Sequence, residues 1–317
     1  MGESWVCSCL VSFLLALTNE IFQPSQSKMS PFIESNNIID DSEALRCRAD
    51  RDGYLFLRNF VDRESILETR RDITAILQDV GWIQVGTDPL EAITTHPAII
   101  SGMEEFKPVY DETLKLESFQ TLAHANALIK LTEALLGPDV LLQPSNILRI
   151  IFPSNLDQTT PAHQDYVHIQ GTRDVWTAWI PLSDCSEKLG GLSVLRGSHK
   201  SGIFPVSKVS GAGGLKSDTR SIDEDWVSSQ FNLGDVLFFH SHTVHQGLPN
   251  RSGDRLRLSA DFRYQRASEP VIYQVLTPHQ GRLTWEEVYA GWKSDKYQYH
   301  WKKFTLTTVT KVPWKVD

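Results

Sequence analysis

The stretch GDVLFFHSHTVHQGLPNRSGDRLRLS, Gly234 to Ser259, reads as two β-prone runs joined by a turn. Gly234-Asp235 opens the first run, and Pro249-Asn250-Arg251-Ser252-Gly253 breaks the chain before the second. His240, His242 and His245 lie on or near the first run. The second carries Arg255 and Arg257, which alternation sets on one face with Ser259. An inward-facing arginine on a strand is costly unless it meets an anion. No carboxylate close in sequence is placed to serve. A carboxylate-bearing cosubstrate would fill that gap, because guanidinium binds carboxylate in a bidentate fork.

Working outward, VLLQPSNILRIIF, HQDYVHIQ, VWTAWIPL, GLSVLRGS and RLRLSADFRY read as further short strands, with PSNLD and SEKLGG as turns. From about residue 139 to 265 no helical pattern intervenes, so the expected fold is mainly β with flanking helices: a sandwich or double-sheet barrel. A helix precedes it, capped by Asp62, with Ile66, Ile73, Leu77 and Val80 on one face and Gly81 as its stop. A second helix is expected over about Leu116–Leu136, ended by Gly137-Pro138. Thr284-x-x-Glu287 is a capping box for a C-terminal helix. The Gly/Ser-rich insertion Lys208–Asp225 reads as a loop of the kind that covers active sites. No linker divides the chain. The expected organisation is a leader over 1–28 and one domain over 29–317, with a helical cap at 62–137 and a helical segment at 266–317.

The stretch TTPAHQDYVHIQG, Thr159–Gly171, carries the chemistry. On a strand, His163 and Asp165 point to one face and Gln164 to the other. One more histidine from a neighbouring strand would complete a two-histidine, one-carboxylate facial triad with open coordination positions, the arrangement of non-haem Fe(II) oxygenases. The three-residue pattern alone is weak. Its force comes from the histidines and arginines downstream.

Taken together, HQD, WTAWIPLSD with GGLSVLRGSHK, GDVLFFHSHTVHQGLPN and RLRLS resemble the phytanoyl-CoA dioxygenase family of Fe(II)/2-oxoglutarate oxygenases, as does DGYLFLRNFVDRESI near the start. The resemblance implies a double-stranded β-helix (jelly roll) with iron between two sheets. It implies His163, Asp165 and His245 as iron ligands and Arg255 as the partner of the far carboxylate of 2-oxoglutarate. It sets Trp179 beside the cosubstrate, with Thr177 on the same face. Arg257 competes with Arg255, since Arg257-x-Ser259 matches the arrangement of other oxygenases in the superfamily. Arg196 stands where the family commonly has proline. Asp165 is intact, which disfavours halogenation. The implied reaction is hydroxylation of an unactivated C–H of a small organic molecule, a lipid or secondary metabolite, with release of succinate and CO2. A zinc hydrolase and a catalytically silent cupin-like binding protein are the rivals. The first lacks a general base and a use for Arg255, and the second lacks a Glu after His240-Ser241-His242.

The rest of the composition narrows the class. A net charge of −8 over 317 residues, without a basic run, argues against a nucleic-acid surface. The four cysteines, Cys7, Cys9, Cys47 and Cys185, match no zinc spacing and suit a reducing, cytoplasmic setting. Trp5–Thr18 is apolar but short for a bilayer span, and Glu3 spoils it as a signal peptide. Met29 is an alternative start, and no membrane partner is expected.

Overall fold

Side-chain alternation along a five-stranded sheet sets the architecture of the computed structural model, which describes residues 29–153, 159–211, 213–222 and 225–314. In chain order the elements are α1 (Ser42–Asp52), β1 (Tyr54–Leu57), α2 (Arg63–Asp79), α3 (Phe106–Leu114), α4 (Glu117–Leu122) and α5 (Asn126–Leu136). There follow β2 (Val140–Ile151), α6 (Tyr166–Ile169), β3 (Trp176–Pro181), β4 (Leu192–Leu195), β5 (Val206–Lys208) and β6 (Leu215–Ser217). The chain continues through β7 (Trp226–Ser228), β8 (Val236–His240), β9 (His245–Gly247) and β10 (Arg257–Arg266). It ends with β11 (Val271–Ile272), α7 (Trp285–Tyr289) and β12 (Thr308–Val309). The expected leader, residues 1–28, lies outside the described residues.

The larger sheet runs β1-β8-β3-β10-β2 and the smaller β7-β4-β9, each antiparallel throughout. On the larger sheet Leu55, Leu57, Ala178, Ile180, Phe238, Leu258, Ala260 and Phe262 face the helices and form one core with Leu45, Ile66, Ile73, Leu77 and Leu128. Their neighbours Tyr54, Phe56, Trp179, Leu237 and Phe239 face the other way and form a second core with Leu192, Val194 and Val227 of the smaller sheet. Period-two burial on both faces of one sheet is what a jelly roll requires. Each fully buried aromatic or aliphatic side chain contributes about 1.5–3 kcal/mol. The fold is a mainly β double-stranded β-helix with flanking helices.

The helices follow their caps. The Asp62 carboxylate accepts the Ser65 N–H to start α2, and the Thr284–Glu287 capping box starts α7. Val80 departs from its expected place on the buried face of α2: it is the C-cap and is 44% exposed. The single helix expected over Leu116–Leu136 is two, α4 and α5, because Ala125 takes an extended conformation. Tertiary contacts hold the break open. Tyr264 Oη donates to the Ala123 carbonyl at 2.7 Å, and His124 stacks on Tyr297 with ring centroids 4.1 Å apart. The insertion after Lys208 is not a plain loop, since β5 and β6 pair across it.

The run HQDYVHIQ is not a strand. His163 forms a single bridge to His245, and the chain then turns at Asp165 into α6. Gln164 explains why a regular strand fails there. Its buried amide donates to the carbonyls of Gly202 and His242 and accepts the Phe204 N–H, so side-chain bonds replace a ladder.

Candidate metal centre and its cavity

His163 and His245 are tied to each other through the backbone: each N–H donates to the other's carbonyl, at 2.9 and 3.0 Å. Their side chains are fixed in the same way. Nδ1 of His163 lies 2.8 Å from the Pro161 carbonyl, and Nδ1 of His245 lies 3.0 Å from the Thr243 carbonyl. A carbonyl only accepts, so each Nδ1 carries the proton and each Nε2 keeps its lone pair. Those Nε2 atoms stand 3.6 and 3.9 Å from Asp165 Oδ1. One ligand atom from each of the three residues falls within 4.8 Å of the others, and all three residues are buried. Burial also pushes the His245 imidazole down to about 3, which keeps it neutral, as a metal ligand must be.

Asp165 has partners of its own. Thr177 Oγ1 donates to its Oδ2 at 2.7 Å, and Arg263 donates to Oδ2 and Oδ1 at 3.1 and 3.2 Å. Burial alone would raise its pKa, but the Arg263 guanidinium outweighs that and holds the carboxyl well below the usual range. The set is a borderline donor group of two imidazoles and one carboxylate, which suits Fe(II).

Trp179 and Thr177 both sit on the inner face of β3, with Thr177 directed to Asp165 and Trp179 packed on Phe231 at 4.7 Å between ring centroids. Beside the three ligand residues they line a small chamber of about 20 Å³ together with Phe239, Arg257 and Asp261. Arg257 is 3% exposed; its Nη1 donates to the carbonyls of Gly190 and Gly191 at 2.7 and 3.0 Å, and its Nε has no partner among the described residues. Gly190 makes that contact possible: a Cβ there would sit 2.4 Å from the Pro249 carbonyl oxygen. Arg255 is elsewhere. It precedes β10, so strand alternation does not apply to it, and its side chain is 47% exposed in an ion pair with Glu91. The expectation that Arg255 and Arg257 share a face is therefore corrected.

The chamber opens into a cavity of about 540 Å³ that shares Arg149, Thr160, His163 and Asp165 with it. The outer wall is mostly apolar, with Ile99, Phe106, Ile147, Ile151, Ile272 and Val275. His168 lines it and is no part of the three-residue group. His240 lies instead between His242 and His199, with ring centroids 5.3 and 5.8 Å away. Sequence reading missed Arg263, although the alternation that ran Arg257, Ser259 reaches it four residues on. It also missed Arg149, which donates to Asp261 at 2.9 Å.

The profile of the family described as phytanoyl-CoA dioxygenase (PhyH) matches residues 49–258. A 1-deoxypentalenic acid 11-beta-hydroxylase of Streptomyces exfoliatus is 31% identical over 269 residues, 79% of this chain and 90% of that protein. The chain belongs to the phytanoyl-CoA dioxygenase family. The peroxisomal phytanoyl-CoA dioxygenase of Rattus norvegicus is 23% identical over 267 residues, 80% of this chain and 72% of that protein. Among solved structures, the epimerase SnoN in complex with Fe3+, alpha ketoglutarate and nogalamycin RO matches with a TM-score of 0.52 at 20% identity. The match covers 77% of this chain and 88% of that one, and it supports the fold. This family member is a 2-oxoglutarate-dependent dioxygenase that hydroxylates a small molecule, with iron as its metal. Among the described residues, no helix is long and apolar enough to cross a membrane.

Proposed function

We propose that His163, Asp165 and His245 hold the iron, and that Arg257, not Arg255, receives the far carboxylate of 2-oxoglutarate. The observation that carries this is the buried Arg257 guanidinium, with a free Nε, in the chamber that also holds the three ligand residues. A buried cation without a carboxylate partner is costly, and a cosubstrate carboxylate removes that cost. Ser259, on the same face of β10, has a buried hydroxyl without a hydrogen-bond partner among the described residues. Trp179 and Phe239 wall the chamber.

Iron and 2-oxoglutarate, when bound, would let O2 act as the oxidant: one oxygen atom ends in the hydroxyl formed at an unactivated C–H and the other in succinate, with CO2 released. The protein's own residues do the rest. Thr177 and Arg263 keep Asp165 ionised and oriented, and the backbone carbonyls of Pro161 and Thr243 set both histidines to coordinate through Nε2. The apolar wall excludes water and places the substrate carbon near the centre. The substrate is a compact, largely apolar organic molecule, lipid or secondary metabolite, in the 540 Å³ cavity. The hydroxylase from Streptomyces exfoliatus, named for 1-deoxypentalenic acid, supports that size and character. The unit that works is the single domain over 29–317, and its setting is the cytoplasm, in keeping with the unpaired Cys47 and Cys185.

The test is to titrate Fe(II) and 2-oxoglutarate into anaerobic protein and follow the visible metal-to-ligand charge-transfer band. The band should form in wild-type protein and be lost in Asp165→Ala. A folded protein that forms no band refutes the assignment.

A further inference from the structure

The large cavity holds three cations, and two of them are neutralised. Arg263 is paired with Asp165 and Arg149 with Asp261. The third, Lys311, lines the cavity and has no carboxylate or hydrogen-bond partner among the described residues. Asp165 is the sole carboxylate among the described residues lining this space. His168 Nε2, also in the wall, is buried without a hydrogen-bond partner among the described residues. The charges of Fe(II) and of doubly ionised 2-oxoglutarate cancel each other, so loading the centre leaves Lys311 unmatched.

Lys311 is held there by construction. β12 pairs in parallel with β11, Thr308 opposite Val271 and Val309 opposite Ile272. Past that pairing, the Gln170 side chain grips the backbone of Val312: Nε2 donates to the Val312 carbonyl at 2.7 Å, and the Val312 N–H donates to Oε1 at 2.8 Å. This two-bond clasp fixes the residue next to Lys311. Gln170 stands at φ 31°, at the C-cap of α6, the short helix whose N-cap is Asp165. Next to it, Gly171 at φ 81° lets β11 approach, since a Cβ there would sit 2.6 Å from the Pro270 carbonyl oxygen. One short segment thus carries a metal ligand at one end and the clasp for the cation at the other.

We infer that Lys311, delivered by this C-terminal strap, pairs with an anionic group, a carboxylate, on an otherwise apolar substrate and sets which carbon faces the metal centre. His168 is the neighbouring donor. The inference rests on the oxygenase reading above, and the experiment separates the two. The probes are adamantane-1-carboxylate and its neutral amide, equal in shape and differing in charge. Calorimetry gives their Kd values with protein loaded anaerobically with Fe(II) and 2-oxoglutarate, and again with metal-free protein.

Wild-type protein should bind the carboxylate about two- to fivefold tighter than the amide, the ratio one solvent-touched charge pair supports. Lys311→Met should bring the ratio to about one, Lys311→Arg should keep it, and Gln170→Leu should weaken carboxylate binding while leaving the amide unchanged. A wild-type ratio near one, or a ratio that Lys311→Met leaves intact, overturns the inference. So does failure of the carboxylate to bind. The charge-transfer band, which does not involve Lys311, reports on the oxygenase reading separately: if it forms in every variant while the ratios fail, only the role of Lys311 falls.

Discussion

Replacing Arg257 by methionine separates the two arginines that the sequence left in competition. Methionine keeps the length and apolar stem and removes the charge. In the absence of cosubstrate the change strips hydrogen bonds from the Gly190 and Gly191 carbonyls, at about 1–3 kcal/mol for buried polar groups left unpaired. It also relieves the burial of an unpaired charge, which offsets much of that. The fold should therefore survive with a stability change of no more than about 2 kcal/mol. Cosubstrate binding should not survive. A carboxylate brought into a buried chamber with no cation loses about 3 kcal/mol or more, which is at least about a hundredfold in affinity. Arg255→Met, in contrast, removes an exposed pair with Glu91, worth about 0–1 kcal/mol, and leaves the chamber untouched. The assay is the KM for 2-oxoglutarate by succinate release, with the charge-transfer band as the equilibrium check. A large rise in KM for Arg255→Met, with Arg257→Met close to wild type, would refute the reasoning.

Thr177→Val removes the hydroxyl that donates to Asp165 Oδ2, and Fe(II) affinity measured by chelator competition should fall about 10- to 100-fold; unchanged affinity would mean that Arg263 alone orients the carboxylate. Gln164→Ala, at a residue that lines neither cavity, breaks three hydrogen bonds and should lower stability by about 2–4 kcal/mol in urea unfolding; a smaller loss would show that water takes over those partners. Acid should also destabilise the protein early. Burial pushes His124, His240 and His279 down to about 3 from 6.5, so below 6.5 the unfolded chain takes up protons that the folded one refuses. Stability contributed by each is fully present above pH 6.5 and is lost as pH falls toward 3, by up to about 2 kcal/mol per group at pH 5. A urea midpoint that is flat from pH 7 to 5 would contradict this.

The jelly roll was legible because its signals are local and periodic. Alternation along Ser259–Tyr264 and Trp176–Pro181 survives in β10 and β3, since both faces of the large sheet are buried and a one-residue slip would invert them. His163, Asp165 and His245, the proposed ligands, were legible as residue types in order. Their geometry was not. His163 and Asp165 converge through a bridge and a helical turn, and what bends the chain there is the bonding of Gln164 to partners 38 to 78 residues away, which periodicity cannot show. Arg255 was misplaced for a similar reason. The start of β10 is set by pairing of Arg257 with Ile151, and Arg255 lies outside that register. Lys311 carried no signal at all, because its position depends on a clasp between Gln170 and Val312.

The mutual backbone bonds of His163 and His245 have a consequence for how the protein meets its metal. Most of the coordination cage is built by the sheet before any ion arrives, unlike small zinc modules whose folding energy comes from the ion itself. Folding therefore does not depend on the ion, and stripping by a chelator should leave a folded protein ready for refilling. The same readiness makes the cage indifferent. Two imidazoles and a carboxylate bind Co, Ni or Cu at least as strongly as Fe(II), following the Irving–Williams order. The choice of iron is thus left to what the cell supplies, and enzyme produced in a medium rich in nickel or cobalt should emerge folded, filled and inactive.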